Sequence, residues 1–150
     1  MNLLIESITP ATDGFAALLS ESLHFQFNML NRLQANWRSG ENRFEAEGEK
    51  LVGAFCNERL IGVCGLNKDP YSSEPRMGRV RHLYVSYSWR RMKTGRLLLN
   101  SIIQDAERCF DSLNTHAPDS AFAFYERMGF RRTEGRDNVT HRLFLPMPGV

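Results

Sequence analysis

Apolar positions along the chain recur with two periods, and their succession outlines the elements. Leu3 to Ile8 is a short apolar run that Thr9-Pro10 ends, which predicts a first strand. Asp13 stands where a helix cap would, ahead of Phe15, Leu18, Leu19 and Leu23 at helical spacing. A second helix reads from Phe25 to Arg38, with Phe27, Leu30, Leu33 and Trp37 on one side, and Ser39-Gly40-Glu41-Asn42 stops it. Leu51–Cys56 and Leu60–Leu66 are apolar runs separated by Asn57-Glu58-Arg59, a hairpin signal.

From Arg79 to Ser86 the chain alternates. Strict alternation puts Arg79, Arg81, Leu83 and Val85 on one face and Val80, His82 and Tyr84 on the other. Lys93-Thr94-Gly95 then opens a helix whose apolar stripe (Leu98, Leu99, Ile102, Ile103, Ala106, Cys109, Phe110) repeats at three and four. Asp111 to Thr115 is a short strand. Pro118-Asp119 starts a helix with Ala121, Phe122, Tyr125 and Met128 inward and Gly129 as its stop. Phe130–Arg132 and Val139–Leu145 close the chain as a hairpin around Gly135. Hairpin strands followed by strand–helix–strand imply an α/β fold, a mixed sheet with helices on both faces.

Composition narrows the classes. The 150 residues fit one domain, 1–150, and 42% hydrophobic against 24% charged is an ordinary globular balance. A net charge of +2 is too mild for a nucleic-acid binder, though it allows a local basic pocket. Cys56, Cys64 and Cys109 have no C-x-x-C spacing, so a zinc site is not expected. No stretch approaches the ~18 apolar residues of a membrane span. The start lacks the basic region and the roughly 7–15-residue apolar run of a secretory leader. A cytoplasmic location is the expectation, with no metal and no membrane partner.

The segment Val85 to Arg96 carries the clearest chemistry. A strand ends, a basic loop follows, and a helix starts at a glycine. The first N–H groups of a helix lack internal partners and the helix dipole adds positive potential there, so phosphate oxygens are stabilised if the backbone is approachable. Gly95 removes the Cβ that would obstruct the approach, and Arg90, Arg91, Lys93 and Arg96 surround it with cations. A solvated basic turn is the plain alternative.

This segment resembles motif A of the GNAT superfamily of acyl-CoA N-acyltransferases, Gln/Arg-x-x-Gly-x-Gly/Ala after a strand. Arg90 matches its first position and Gly95 its last, while Lys93 stands where the first glycine usually is. Ala121 to Phe130 is similar to the family's Ala-x-x-Phe-Tyr-x-x-x-Gly-Phe stretch, and the hairpin around Asn57-Glu58-Arg59 matches in place. The resemblance implies a GNAT-type mixed sheet whose strands splay after Val85 to admit the CoA arm. It implies transfer of an acetyl group from acetyl-CoA, as co-substrate, to a primary amine of a small molecule or a protein, by direct attack. A homodimer is compatible with it, and a non-catalytic acyl-CoA-binding module of the same fold is the rival.

By the same resemblance, Leu83, Tyr84 and Val85 offer backbone groups to pantetheine, and Arg90, Arg91, Met92, Lys93, Thr94, Gly95 and Arg96 hold the pyrophosphate. Tyr125 matches a tyrosine that in many members stands near the CoA sulfur. An asparagine often found near the end of the strand before that helix has two candidates here, Asn114 and His116. Some members use a glutamate on the strand before motif A as general base, but Arg79 occupies that place. His82 is on that strand and can titrate near neutrality; Glu47, Glu49, His116 and a water chain are alternatives. Arg79 and Arg81 on one face suit an acceptor that also carries a carboxylate or phosphate, or they pair with the acidic Glu41–Glu49 segment.

Overall fold

The computed structural model describes residues 2–90 and 93–147. Its strands are β1 (Leu3–Ser7), β2 (Lys50–Cys56), β3 (Arg59–Lys68), β4 (Met77–Val85), β5 (Ser112–Thr115), β6 (Arg131–Arg132) and β7 (His141–Phe144). Helices α1 (Phe15–His24) and α2 (Met29–Ser39) precede β2, α3 (Thr94–Ile103) joins β4 to β5, and α4 (Phe122–Arg127) joins β5 to β6. The strands form one sheet in the order β1-β2-β3-β4-β5-β7-β6. Among the described residues β4 and β5 pair in parallel, and every other neighbouring pair is antiparallel.

Each face of the sheet buries its own apolar layer. Leu98, Leu99 and Ile102 of α3 pack with Val52, Ala54, Ile61, Val80, Leu113 and Tyr125. Phe15 and Leu18 of α1 and Leu30 and Leu33 of α2 pack on the other side with Leu51, Leu60, Val63 and Tyr84. The mixed sheet with helices on both faces is therefore the architecture that the hydrophobic pattern implied.

Three differences from the pattern concern the helix ends. Asp13 does not cap α1, which opens after Gly14 with no side-chain cap. α2 begins at Met29 rather than Phe25, because Gln26 takes a left-handed φ of 66° that a helix cannot accommodate. α3 ends at Ile103, well short of Phe110, since Asp105 turns left-handed at φ 63°. Lys50 closes that end, its Nζ donating to the carbonyls of Ser101 (2.9 Å) and Gln104 (2.8 Å). An ammonium satisfying carbonyls at the negative end of the helix dipole is a stable stop. Ala106 and Phe110 stay buried all the same, beyond a short 3₁₀ turn over Ala106–Arg108.

The fourth difference shapes the site. Against β3, Val80 and Arg81 pair with Leu66 and Gly65, but Tyr84 and Val85 pair with Val63 and Gly62, so β4 holds one extra residue. This is a β-bulge, and His82 within it has a φ of 62°. A bulge cancels strict alternation: Val80 packs with the α3 layer, and beyond the bulge Leu83 and Val85 do so as well, while Tyr84 joins the α1–α2 layer. The two faces read from the sequence are thus exchanged at His82. A left-handed non-glycine residue costs on the order of 1–3 kcal/mol, so its neighbours must hold it. Phe44 does so from one side, its ring edge-on to the imidazole at 6.1 Å. Gly65 permits this, since a Cβ there would lie 2.8 Å from that phenyl ring.

Candidate active site

Parallel pairing between β4 and β5 runs only from Met77↔Ser112 to Arg79↔Asn114. One further tie follows, Thr115 Oγ1 donating to the Val80 carbonyl at 3.1 Å. Beyond it β4 runs on to Val85 while β5 ends at Thr115, so the sheet opens into a wedge. The splay therefore begins after Arg79, not after Val85 as expected, because the bulge bends β4 away from its parallel neighbour. Ser86 N donates to the Ile61 carbonyl, so alternation turns the amide groups of Leu83 and Val85 toward the wedge.

A cavity of about 380 Å³ occupies this opening, with Val80, Leu83, Thr115, His116 and Tyr125 among its walls. Tyr125 is buried, packed edge-on against Phe130 and Phe124. Burial, aided by Cys64, pushes its hydroxyl pKa above the ordinary tyrosine value, against a hydrogen bond with Thr115. The phenol thus keeps its proton across the working pH range.

His82 lines the same cavity, but burial pushes its pKa down to about 3, with the Arg81, Arg32 and Arg79 charges adding to the effect. An imidazole so depressed stays neutral near pH 7 and is a poor proton acceptor. The bulge that seats it between Phe44 and the arginines removes the titration near neutrality that the sequence allowed. His116 is the exposed imidazole of this wall. Asn114, the other candidate at that strand end, is sequestered: its Nδ2 donates to Asp69 (2.8 Å) and its Oδ1 accepts from Arg142 Nε (2.7 Å). Glu49 is spent on structure, accepting from the Ala46 and Lys68 amides.

At the far end of β4, α3 begins at Thr94 with Lys93 at an ordinary φ of −75°. Lysine at that position therefore leaves the turn into the helix intact. A Cβ on Gly95 would meet the Phe124 ring at 3.5 Å and Val85 Cγ2 at 3.9 Å, which are ordinary contacts. Packing within the fold does not require glycine there. Arg91 and Met92 lie outside the described residues.

A family model described as an acetyltransferase (GNAT) domain matches residues 22–148. The chain belongs to the GNAT acetyltransferase family. A proposed acetyltransferase from Exiguobacterium sp. 255-15 has a similar structure, with 28% identity, a TM-score of 0.84, and coverage of 96% of this chain and 94% of that one. A GNAT-family acetyltransferase of Staphylococcus aureus Mu50 shares the fold at 19% identity and a TM-score of 0.73, covering 97% of this chain and 100% of that one. So does one from Elizabethkingia anophelis, solved with acetyl-CoA bound, at 16% identity and a TM-score of 0.65, covering 96% and 99%. No curated protein matches the sequence significantly. Among the described residues no helix is long and apolar enough to cross a membrane.

In this GNAT chain Arg90 is engaged from within. Its Nε donates to the Val85 carbonyl at 3.0 Å, and its guanidinium lies 5.3 to 6.0 Å from the ring centres of Phe25, Phe27, Tyr84 and Tyr87. Cation–π contact with four rings makes it a clamp on the loop. Glu21 of α1 completes that clamp, accepting from the Tyr84 hydroxyl, from Ser86 Oγ (2.8 Å) and from the Tyr87 amide (3.2 Å). Nothing in the spacing around Glu21 marks it, since its partners lie more than sixty residues away.

Burial pushes the Glu21 pKa up, but the bonds from Tyr84, Ser86 and Tyr87, with the Arg90 charge, outweigh it and leave it below the usual carboxylate range. A depressed carboxyl contributes stability above its unfolded pKa and loses it as pH falls through the folded one. Glu21→Gln should therefore melt below the wild type at neutral pH, and the gap should close as pH falls through and below the usual carboxylate range. Melting curves across that window check this; a gap independent of pH would remove the carboxylate from the clamp.

Proposed function

We propose that this chain moves an acetyl group from acetyl-CoA to an amine by direct attack, with no covalent enzyme intermediate. The observation that carries this reading is the open inner edge of β4, with Tyr125 in its wall and the Gly95 helix start beyond its end. Acetyl-CoA, when bound, supplies a thioester whose C–S bond breaks as the C–N bond forms, the electron pair leaving on sulfur. Leu83 and Val85 would offer amide groups to the pantetheine arm, and the first N–H groups of α3, from Thr94 to Arg96, would hold the pyrophosphate with Lys93 and Arg96 beside them.

Tyr125 donates its proton as charge develops on the departing sulfur and regains one from solvent. The Val85 N–H polarises the acetyl carbonyl, a contact that strengthens in the transition state. The proton lost from the amine goes to His116 or to water in the same cavity, and His82, neutral throughout, contributes a fixed hydrogen-bonding nitrogen. Cys56, Cys64 and Cys109 are all free thiols, which supports a reducing cytoplasm and a mechanism without a disulfide.

Gly95→Val tests the site, since the motif itself admits alanine there. The branched side chain would stand where the pyrophosphate approaches, so the rise in melting temperature on adding acetyl-CoA should be lost. An equal rise in both proteins would remove Gly95 from the site. Thiol release from acetyl-CoA with a mixture of amines then separates an enzyme from a binding module, which would show the thermal shift and no release.

A further inference from the structure

The wedge cavity is walled by cations from separate places in the chain: Arg32 of α2 with Arg79 and Arg81 of β4. No carboxylate lines it among the described residues. Asp69 stands behind Arg79, 3.7 Å from its Nη1, and is itself taken up by Asn114 Nδ2 and the Tyr71 amide. Within the described residues, Arg32 and Arg81 have no carboxylate in ion-pair range. Glu41, Glu45 and Glu49 share a neighbouring cavity with Arg32 and Arg81, but none of them stands within ion-pair range of either arginine.

Two polar atoms in this wall are buried and make no hydrogen bond. Arg79 is 6% exposed and its Nη1 makes no hydrogen bond; His82 is 7% exposed and its Nε2 makes none. A buried donor without a hydrogen bond is costly, and a folded chain tolerates one where a ligand completes it. Tyr71 lies under the Arg79 guanidinium, 4.7 Å from ring centre to Cζ, and fixes its plane. A flat, oriented fork of N–H donors fits a carboxylate or phosphate, not a second cation.

We propose that the acceptor amine sits on a small skeleton that also carries an oxyanion, carboxylate or phosphate, and that Arg32, Arg79 and Arg81 hold that oxyanion. The proposal rests on the acetyl-transfer reading above. It accounts as well for the missing carboxylate base. Three guanidinium charges beside an ammonium favour its loss of a proton, so the amine becomes nucleophilic with only water or His116 to take that proton. Polycationic amines meet the same wall as repulsion.

The test is thiol release by the purified full chain with acetyl-CoA and matched amines: β-alanine against β-alaninamide, phosphoethanolamine against ethanolamine, and spermidine. The carboxylate or the phosphate member of a pair should exceed its neutral partner in kcat/KM by ~10-fold or more, and which pair does so identifies the oxyanion. Arg32→Gln and Arg81→Gln, chosen because neither residue is fully buried, should each raise KM for that amine about tenfold while KM for acetyl-CoA stays put. Neutral amines or spermidine turning over as fast would overturn the proposal and leave acetyl transfer standing. If no amine is turned over, melting temperatures with CoA and each amine decide. A rise given by an anionic amine in the wild type and lost in both variants upholds the subsite while the transfer reading falls. No such rise overturns the subsite as well.

Discussion

Tyr125→Phe should lower kcat by roughly 100-fold, the usual contribution of a positioned general acid. The ring, with its edge-on contacts to Phe124 and Phe130, stays in place, so packing is preserved. On the proposed mechanism, what disappears is a hydroxyl whose help grows only as the C–S bond breaks, so the loss should be one of turnover and not of cofactor affinity. Stability should fall by no more than ~1 kcal/mol, the net worth of one hydrogen bond. Stopped assays and a melting curve on one preparation check both halves. Unchanged turnover with a lowered melting temperature would make Tyr125 a core residue and nothing more.

Asp69→Ala should be among the most damaging single changes, destabilising the fold by ~3–5 kcal/mol. Asp69 is 2% exposed and receives hydrogen bonds from Asn114 Nδ2 at 2.8 Å and the Tyr71 amide at 2.9 Å, with the buried Arg79 guanidinium 3.7 Å away. Removing its charge strands a cation inside the fold and frees an amide whose other end holds Arg142. Denaturant unfolding measures the effect. A double variant, Asp69→Ala with Arg79→Met, should recover much of the loss, since the unpaired charge goes with its partner. A loss below 1 kcal/mol would mean that Arg79 carries no buried charge.

Much of the scaffold was legible because its elements announce themselves locally. The β2–β3 hairpin reads from two apolar runs around Asn57-Glu58-Arg59, and the α3 start reads from Gly95 after a strand. The bulge was not legible, because one extra residue in β4 leaves no mark in a pattern of alternating side chains; it shows only in the register against β3. His82 was misjudged for the same reason, since its seat against Phe44 follows from that bulge, and burial there outweighs all else in lowering its pKa. Glu21, Asp69 and Arg32 were missed because each acts on residues far along the chain. Glu21 meets Ser86, and Asp69 meets Asn114, only once the sheet has formed.

The wedge has a further consequence, in solubility. A strand whose backbone groups go unpaired is a template for a strand from another molecule, and chains with such edges are prone to aggregate. Here the unpaired stretch of β4 is interior: β5 diverges from it at one end and α3 begins at the other, so an incoming strand finds no room to lie alongside. The outer margins are guarded by other means. β6 is two residues long and both are arginines, too short and too charged to recruit a neighbour. β1 ends its five residues on exposed Glu6 and Ser7. Among the described residues, the open stretch of β4 is thus kept away from the margins of the sheet, where a neighbouring molecule would meet it.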